Sequence, residues 1–379
     1  MILLKKYIFY ILSSLSLIFS SISLFNHSFI KLKNSSDKFN IFALELAIKT
    51  NKKKITEYTQ LLNFNKATNT TQDVYLDKFY IENKTKQVTN KILSENQNEI
   101  DKILKIVPKY EFNHDPNEET FKITECLFGN SGIKCENFFV NNHANLNIDF
   151  NQILNQNVNF KLEKENTPKV LVMHTHTSES YMDKDQGFYY KNTSFRSTNS
   201  RRNVLLVGEA ICSSLENNGI KTIHNSKYHD TPIFTGSYRR SAETVSKILE
   251  KNPSIKIILD IHRDTIEYKD KRKVKPTFKI NNKKAAQIML IAGCDKDKNL
   301  NHPNWKQNLS FALKLQKKIE DLYPGMTRPL LFTNARYNQH LTSGSVLIEV
   351  GSDANTLEEA VYSGSLLGIA IARMINNLN

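Results

Sequence analysis

The chain has only four cysteines in 379 residues. No two are spaced as CxxC, so a structural zinc site built from thiolates is not expected. Cys126 and Cys135 flank a Gly-Asn-Ser-Gly turn and would close a small disulfide loop in an oxidising compartment, although two lone cysteines do not establish one. Cys212 and Cys294 lie in apolar stretches, where buried free thiols are the expectation. Clustered basic residues are also missing. The formal net charge is +14, but the lysines and arginines are spread among Asn and Ile without arginine-rich or aromatic-interleaved patches, so nucleic acid is not the expected partner. A diffuse basic excess suits an anionic polymer or a lipid surface instead. No internal repeat is present. With 40% hydrophobic and 24% charged residues, the chain can fill two domains and is not disordered as a whole.

Charge is absent altogether from Tyr7 to Phe25, nineteen residues, close to the ~20 that cross a bilayer as a helix. Lys5 and Lys6 precede the run and favour a cytoplasmic amino terminus, which places the remainder outside the cytoplasm. The run exceeds the ~7–15-residue core of a cleaved signal peptide, and no small-x-small cleavage pattern follows. A retained single-pass anchor in the cell membrane is expected over residues 1–26, followed by a polar stalk over 27–65 rich in Lys, Asn, Ser and Thr. Residues 66–162 read as a small mixed α/β middle region. Apolar positions from Thr85 to Ile106 recur at helical spacing, and 109–162 alternates short apolar runs with Asn and Gly. No role is legible for it.

From Thr167 onward, strand and helix patterns alternate. Strands are predicted at 170–173, 221–224, 256–261, 287–292 and 346–350, and helices at 203–216, 241–250, 308–322 and 357–375. This predicts an α/β domain over 167–379 with a largely parallel sheet flanked by helices.

Two of these strands end in metal-competent side chains, VLVMHTH and IILDIHRD. The carboxyl edge of such a sheet is where ligands bind. On an extended strand, His174 and His176 would share a face about 6–7 Å apart, within reach of one metal. His262 ends the second strand, and Glu179 is placed to curl back as an oxygen ligand, a His/Glu/His set that leaves a position open for water. His174 is either a further ligand or a hydrogen-bond donor behind the ligands; polar rim histidines without metal are the ordinary alternative. Glu349, in the apolar run SVLIEVG, is costly to bury unpaired and is the candidate catalytic base. Arg263 is a candidate to polarise a carbonyl or bind a carboxylate, and Asp264 to orient a histidine, with a surface salt bridge the plainer reading. Arg239 and Tyr181 are candidate substrate contacts.

The segments HTHTSESY (174–181), DTPIFTGSYRRSAETV (230–245), NPSIKIILDIHRD (252–264) and NQHLTSGSVLIEVGSDANTLEEA (338–360) resemble, in order, the sporulation stage II protein P family. The resemblance implies a membrane-anchored peptidoglycan hydrolase, an N-acetylmuramoyl-L-alanine amidase and endopeptidase acting in engulfment, with sporulation stage II proteins D and M as partners. That family is in turn similar to zinc-dependent amidases. Their pattern carries the first ligand to His176, another to His262 and the catalytic role to Glu349. Their middle Glu precedes the helix that here begins near Asn203, where this chain has Ser200, Arg201 and Arg202. Glu179 is therefore the substitute, with Glu209 the next candidate. An extracytoplasmic zinc peptidase acting on proteins, or a non-catalytic scaffold of the engulfment machinery, are the other readings; the scaffold alone predicts function without His262.

Overall fold

The computed structural model describes residues 72–109, 115, 117–163 and 166–377. The expected anchor over 1–26 and stalk over 27–65 lie outside those residues. Among the described residues, no helix is long and apolar enough to cross a membrane. The chain divides into two compact units, Met1–Phe79 and Tyr80–Asn379. Of the first, only the opening turns of helix α1 (Gln72–Lys105) are described. Helix α1 starts well before the periodic stretch that predicts it, and its Ile92, Leu93, Ile100 and Ile103 are buried at helical spacing.

The next elements are β1 (Thr120–Cys126), β2 (Ile133–Cys135), β3 (Phe138–Asn142), α2 (Phe150–Leu154), β4 (Val170–Met173), β5 (Phe188–Tyr190), α3 (Val204–Asn217) and β6 (Thr222–His224). They continue with α4 (Ser237–Lys251), β7 (Ile257–Asp264), β8 (Lys273–Ile280), β9 (Lys283–Ala286), β10 (Ile288–Gly293), α5 (Trp305–Leu322), β11 (Leu330–Thr333), β12 (Gly344–Ser352) and α6 (Leu357–Ile375). Eight strands form one sheet in the order β2-β3-β11-β10-β12-β7-β4-β6, and four form another in the order β5-β1-β8-β9.

Both sheets are mixed, so the expectation of a largely parallel sheet is corrected to a mixed α/β fold. β12, β7, β4 and β6 run parallel, but β10 is antiparallel to β12, and β2 to β3. In the smaller sheet β1 is parallel to β8, while β5 and β9 pair antiparallel. Strands from 66–162 and 167–379 share both sheets. β3 pairs with β11 in the large sheet and β1 with β8 in the small one, so from Tyr80 on the two regions lie in one compact unit.

Strand alternation sorts the core onto two faces. Val170 and Val172 of β4 and Ile257, Leu259 and Ile261 of β7 face the main core with α3, α5 and α6. Leu171, Met173 and Ile258 face the opposite way, where Val245 and Ile255 cover them from α4 and the turn after it. Helix α6 is buried almost throughout. Its amino terminus is closed by a capping box, in which Thr356 accepts from the Glu359 amide and Glu359 accepts from the Thr356 amide. All four cysteines are free, so the loop between Cys126 and Cys135 is not closed by a disulfide.

Candidate active site

The carboxyl ends of β4, β7 and β12 lie side by side, and β7 and β12 are in register with His262 opposite Glu349. Asp260 and His262 share the face of Ile258, the one covered by α4, because every second residue of a strand points the same way. Glu349 alternates with the core residues Ile348 and Val350 and so falls on that same face. A hydrophobic pattern interrupted by Asp260, His262 and Glu349 thus delivers three polar groups to one rim.

His176 does not follow the expected strand parity. β4 ends at Met173, and a turn over Thr175–Ser178 takes His176 off the pleat. Its ring stacks on Phe234 at 4.4 Å and meets Tyr238 and His262 edge-on at 5.6 and 5.3 Å. His174 remains on the opposite face and is fully buried. Its Nδ1 lies 3.0 Å from the Ile261 carbonyl oxygen and its Nε2 3.0 Å from Nε2 of His224. The carbonyl can only accept, so His174 donates through Nδ1 and accepts the His224 proton at Nε2. Burial, reinforced by His224, holds His174 well below the ordinary imidazole range, and burial pushes His224 down to about 4. With both ring nitrogens engaged, His174 supports the rim from behind. The expected shared face for His174 and His176 is therefore corrected.

Glu179 lies against His262 and Arg263. Its Oε2 lies 3.4 Å from His262 Nδ1 and accepts the Arg263 amide at 3.2 Å. Burial opposes its ionisation, but His262, Arg263 and His176 outweigh burial and lower its pKa. The other ring nitrogen of His262 lies 3.0 Å from Asp260 Oδ1, close enough for ion pairing but not aligned as a hydrogen bond. Asp260 is itself fixed by the Thr175 amide (2.8 Å) and the Thr175 hydroxyl (2.7 Å). Burial disfavours a charged His262, yet the Asp260 and Glu179 carboxylates hold its pKa well above the ordinary value. Burial pushes Glu349 up to about 8, helped by Glu179 and Asp264 and opposed by His262.

Two buried polar atoms at this rim have no partner, His176 Nδ1 and Glu349 Oε2, whereas His262 Nε2 faces the Asp260 carboxylate. Such orphans cost free energy unless a ligand satisfies them. The donor types suit zinc, and the 3.4 Å from His262 Nδ1 to Glu179 Oε2 is near the ~3.3 Å edge of a tetrahedron built with ~2.0–2.1 Å bonds. Among the described residues, no three His, Cys, Asp or Glu side chains stand close enough together to hold a metal as they are. The residues fit the ion in kind, with Asp260 placed to orient His262 from outside the ligand set.

Other nominated residues lie elsewhere or do something else. The Arg263 guanidinium donates to the carbonyls of Ser180 (3.1 Å) and Phe195 (2.7 Å) and to the Thr265 hydroxyl (2.7 Å), so it ties the 180–195 segment to β7. The buried Tyr181 hydroxyl donates to the Val350 carbonyl oxygen at 3.1 Å. Arg239 pairs with Glu243 on the exposed side of α4. Asp264 accepts from Arg328 at 2.7 Å. Glu209 is exposed on α3. Sequence reasoning misses Asp260, Asp230 and Arg196. Asp260 carried a signal, a carboxylate two positions before His262 inside an apolar strand, whereas Arg196 and Asp230 reach the site only through loops.

The family model for Stage II sporulation protein P (SpoIIP) matches residues 32–372. The Stage II sporulation protein P of Bacillus subtilis (strain 168) is 32% identical over 201 residues, covering 50% of this chain and 47% of that protein, so the match spans about half the length of that relative. Among solved structures, the chain is similar to the N-acetylmuramoyl-L-alanine amidase AmiC2 of Nostoc punctiforme, at 14% identity and TM-score 0.31 over 55% of this chain and 96% of that one. It is also similar to the CwlD amidase from Clostridioides difficile in complex with the GerS lipoprotein, at 14% identity and TM-score 0.31 over 55% of this chain and 99% of that one.

Proposed function

Because the chain belongs to the stage II sporulation protein P family, we propose that it is a peptidoglycan hydrolase of sporulation, an N-acetylmuramoyl-L-alanine amidase with endopeptidase activity at the same site. The observation that carries this reading is the convergence of His176, Glu179, His262 and Glu349 on one sheet rim, with orphaned polar atoms among them. In this reading the chain is anchored by residues 7–25 with its catalytic unit outside the cytoplasm, acts in engulfment, and works with sporulation stage II proteins D and M.

His176, His262 and Glu179 would hold a zinc ion, which when bound polarises the amide carbonyl and acidifies a water. The chain's own groups do the rest. Glu349 Oε2, buried and unpartnered, takes the proton of the attacking water and returns it to the leaving amine. Asp260, locked by Thr175, fixes the orientation of His262. Phe234 stacks on the His176 ring and Tyr238 meets it edge-on, which would hold the ring's orientation. Arg263 holds the Ser180 and Phe195 carbonyls and keeps the segment bearing Glu179 on the rim.

The test is digestion of purified sacculi by the full chain in detergent, read by mass spectrometry. Free stem peptides with a new L-alanine amino terminus, lost with His262→Ala, are expected. Intact sacculi together with cleavage of a protein substrate would move the assignment to a peptidase, and unchanged sporulation in the His262→Ala strain would favour the scaffold.

A further inference from the structure

Arg196 stands at the mouth of this site without a role in the mechanism above. Its Nη1 donates to Asp230 Oδ2 at 3.0 Å and to Ser178 Oγ at 3.1 Å. Its Cζ lies 4.7 Å from the Phe234 ring centroid, and that ring stacks on His176 at 4.4 Å. Nη2 comes no closer than 3.9 Å to Glu179 Oε1, beyond hydrogen-bond length. Asp230 has a side chain that is 0% exposed and takes further hydrogen bonds from the Ser178 amide and hydroxyl, whereas the Arg196 side chain is 43% exposed. A fully buried carboxylate therefore pins one edge of the guanidinium and leaves the rest partly exposed beside Glu179 and the Phe234–His176 stack.

That arrangement is a receptor for a planar anion. A guanidinium held at one edge presents its remaining N–H groups in a fixed fork, which matches a carboxylate, and the ordering cost of the side chain is already met by Asp230 and Phe234. The surroundings select the charge of the guest. Glu179 and Asp230 already place two carboxylates near Arg196, so a singly charged carboxylate is accepted where a phosphate dianion meets stronger repulsion. The two arginines nominated from the sequence do not compete for this task. Arg263 is consumed by Ser180, Thr265 and Phe195, and Arg239 by Glu243.

We propose that Arg196 is the specificity-determining residue of this site, reading a free carboxylate on the peptide beside the scissile amide, so that acidic stem peptides are preferred over their amidated counterparts. The proposal rests on the hydrolase reading above, and two arms keep the two apart. In the binding arm, the full chain without added metal is titrated calorimetrically with a short stem peptide whose second residue carries either a free carboxylate or a carboxamide. Wild type is expected to bind the free acid about tenfold more tightly, the lower end for a charge-assisted hydrogen bond. Arg196→Met is expected to bind both forms alike, and Arg196→Lys, which keeps the charge opposite Asp230 but not the fork, to show a reduced preference. In the cleavage arm, the matching muramyl peptides are digested by metal-loaded protein, and the preference is expected in KM with kcat little changed. Equal binding of the two peptides by wild type would overturn the proposal whether or not any variant folds, as would an undiminished preference in Arg196→Met. A failure to cleave either muramyl peptide, with the binding preference intact, would count against the hydrolase reading and leave Arg196 as the carboxylate reader.

Discussion

Glu179 is buried and Glu349 half-buried near His262, yet their surroundings push them apart, and that difference supports the separate roles proposed for them. Glu179 accepts from the Arg263 amide, faces His262 Nδ1 and has a lowered pKa, which suits a permanently ionised ligand. Glu349 Oε2 has no partner, and burial raises its pKa to about 8, which suits a group that takes and returns a proton. In Glu349→Gln the nearly isosteric amide should leave zinc content and fold intact while lowering turnover ~10²–10⁴-fold, the usual contribution of general acid–base catalysis. Glu179→Gln and His262→Ala should lose zinc first, measured by metal analysis of the dialysed protein. Equal zinc loss in all three variants would make Glu349 a ligand, and full activity in Glu349→Gln would end the proposed mechanism.

Helix α3 can approach the sheet behind the site only because Gly208 lacks a side chain. A Cβ there would sit 2.5 Å from His224 Nε2 and 2.6 Å from His174 Nε2, inside the hydrogen bond between the two rings. Gly208→Ala should gain up to ~1 kcal/mol of helix propensity and still destabilise the protein by roughly 1–3 kcal/mol, because overpacking separates the buried pair. A melting midpoint at or above wild type would show that the helix has room to retreat. That close approach is not written in any local pattern, and it marks where sequence reading stops. β4 and α6 were legible to the residue, and β7, β12 and α3 nearly so, because their apolar positions repeat with period two or 3.6. The β8–β9 hairpin was not. Its buried positions include Lys273, Lys275 and Thr277, and it contains Pro276, a pattern that reads as surface. Those lysines are buried because Asp353 and Glu267 meet Lys273, while Asp185, Glu359 and Glu125 meet Lys275, partners that only the folded chain supplies. The same limit hid Arg196 and Asp230. The turn at Thr175–Ser178, which separates His174 from His176, likewise overrode the strand parity that had placed the two on one face.

Across the whole molecule, buried neutral histidines set how the fold responds to acid. Burial depresses His174, His224, His229, His302 and His340, with His224 and His340 at about 4. An unfolded chain protonates these groups near the ordinary value of about 6.5, so the unfolded state binds more protons as the pH falls below it. The stability these histidines contribute is therefore full above about 6.5 and is lost progressively as the pH falls from there to the folded values near 4, with His224 alone accounting for about 3 kcal/mol. His224→Gln, which keeps a donor for His174 but does not titrate, should flatten that limb in melting curves of the metal-free protein; an unchanged slope would remove His224 from the account. The other end of the chain carries the proposal for where this fold works. Tyr7 to Phe25 carries no charge and follows Lys5 and Lys6, and the proposed reading, with the lysines on the cytoplasmic side and the run across the bilayer, rests on that pattern. A periplasm-type reporter fused after Ile30 should be active only outside the membrane. Amino-terminal sequencing of the membrane-extracted protein should still find the first 25 residues. A mature chain beginning near Asn26 or later would show that the run is a cleaved signal peptide, and the catalytic unit would then reach peptidoglycan as a released enzyme, without the anchor that confines its action to the membrane surface.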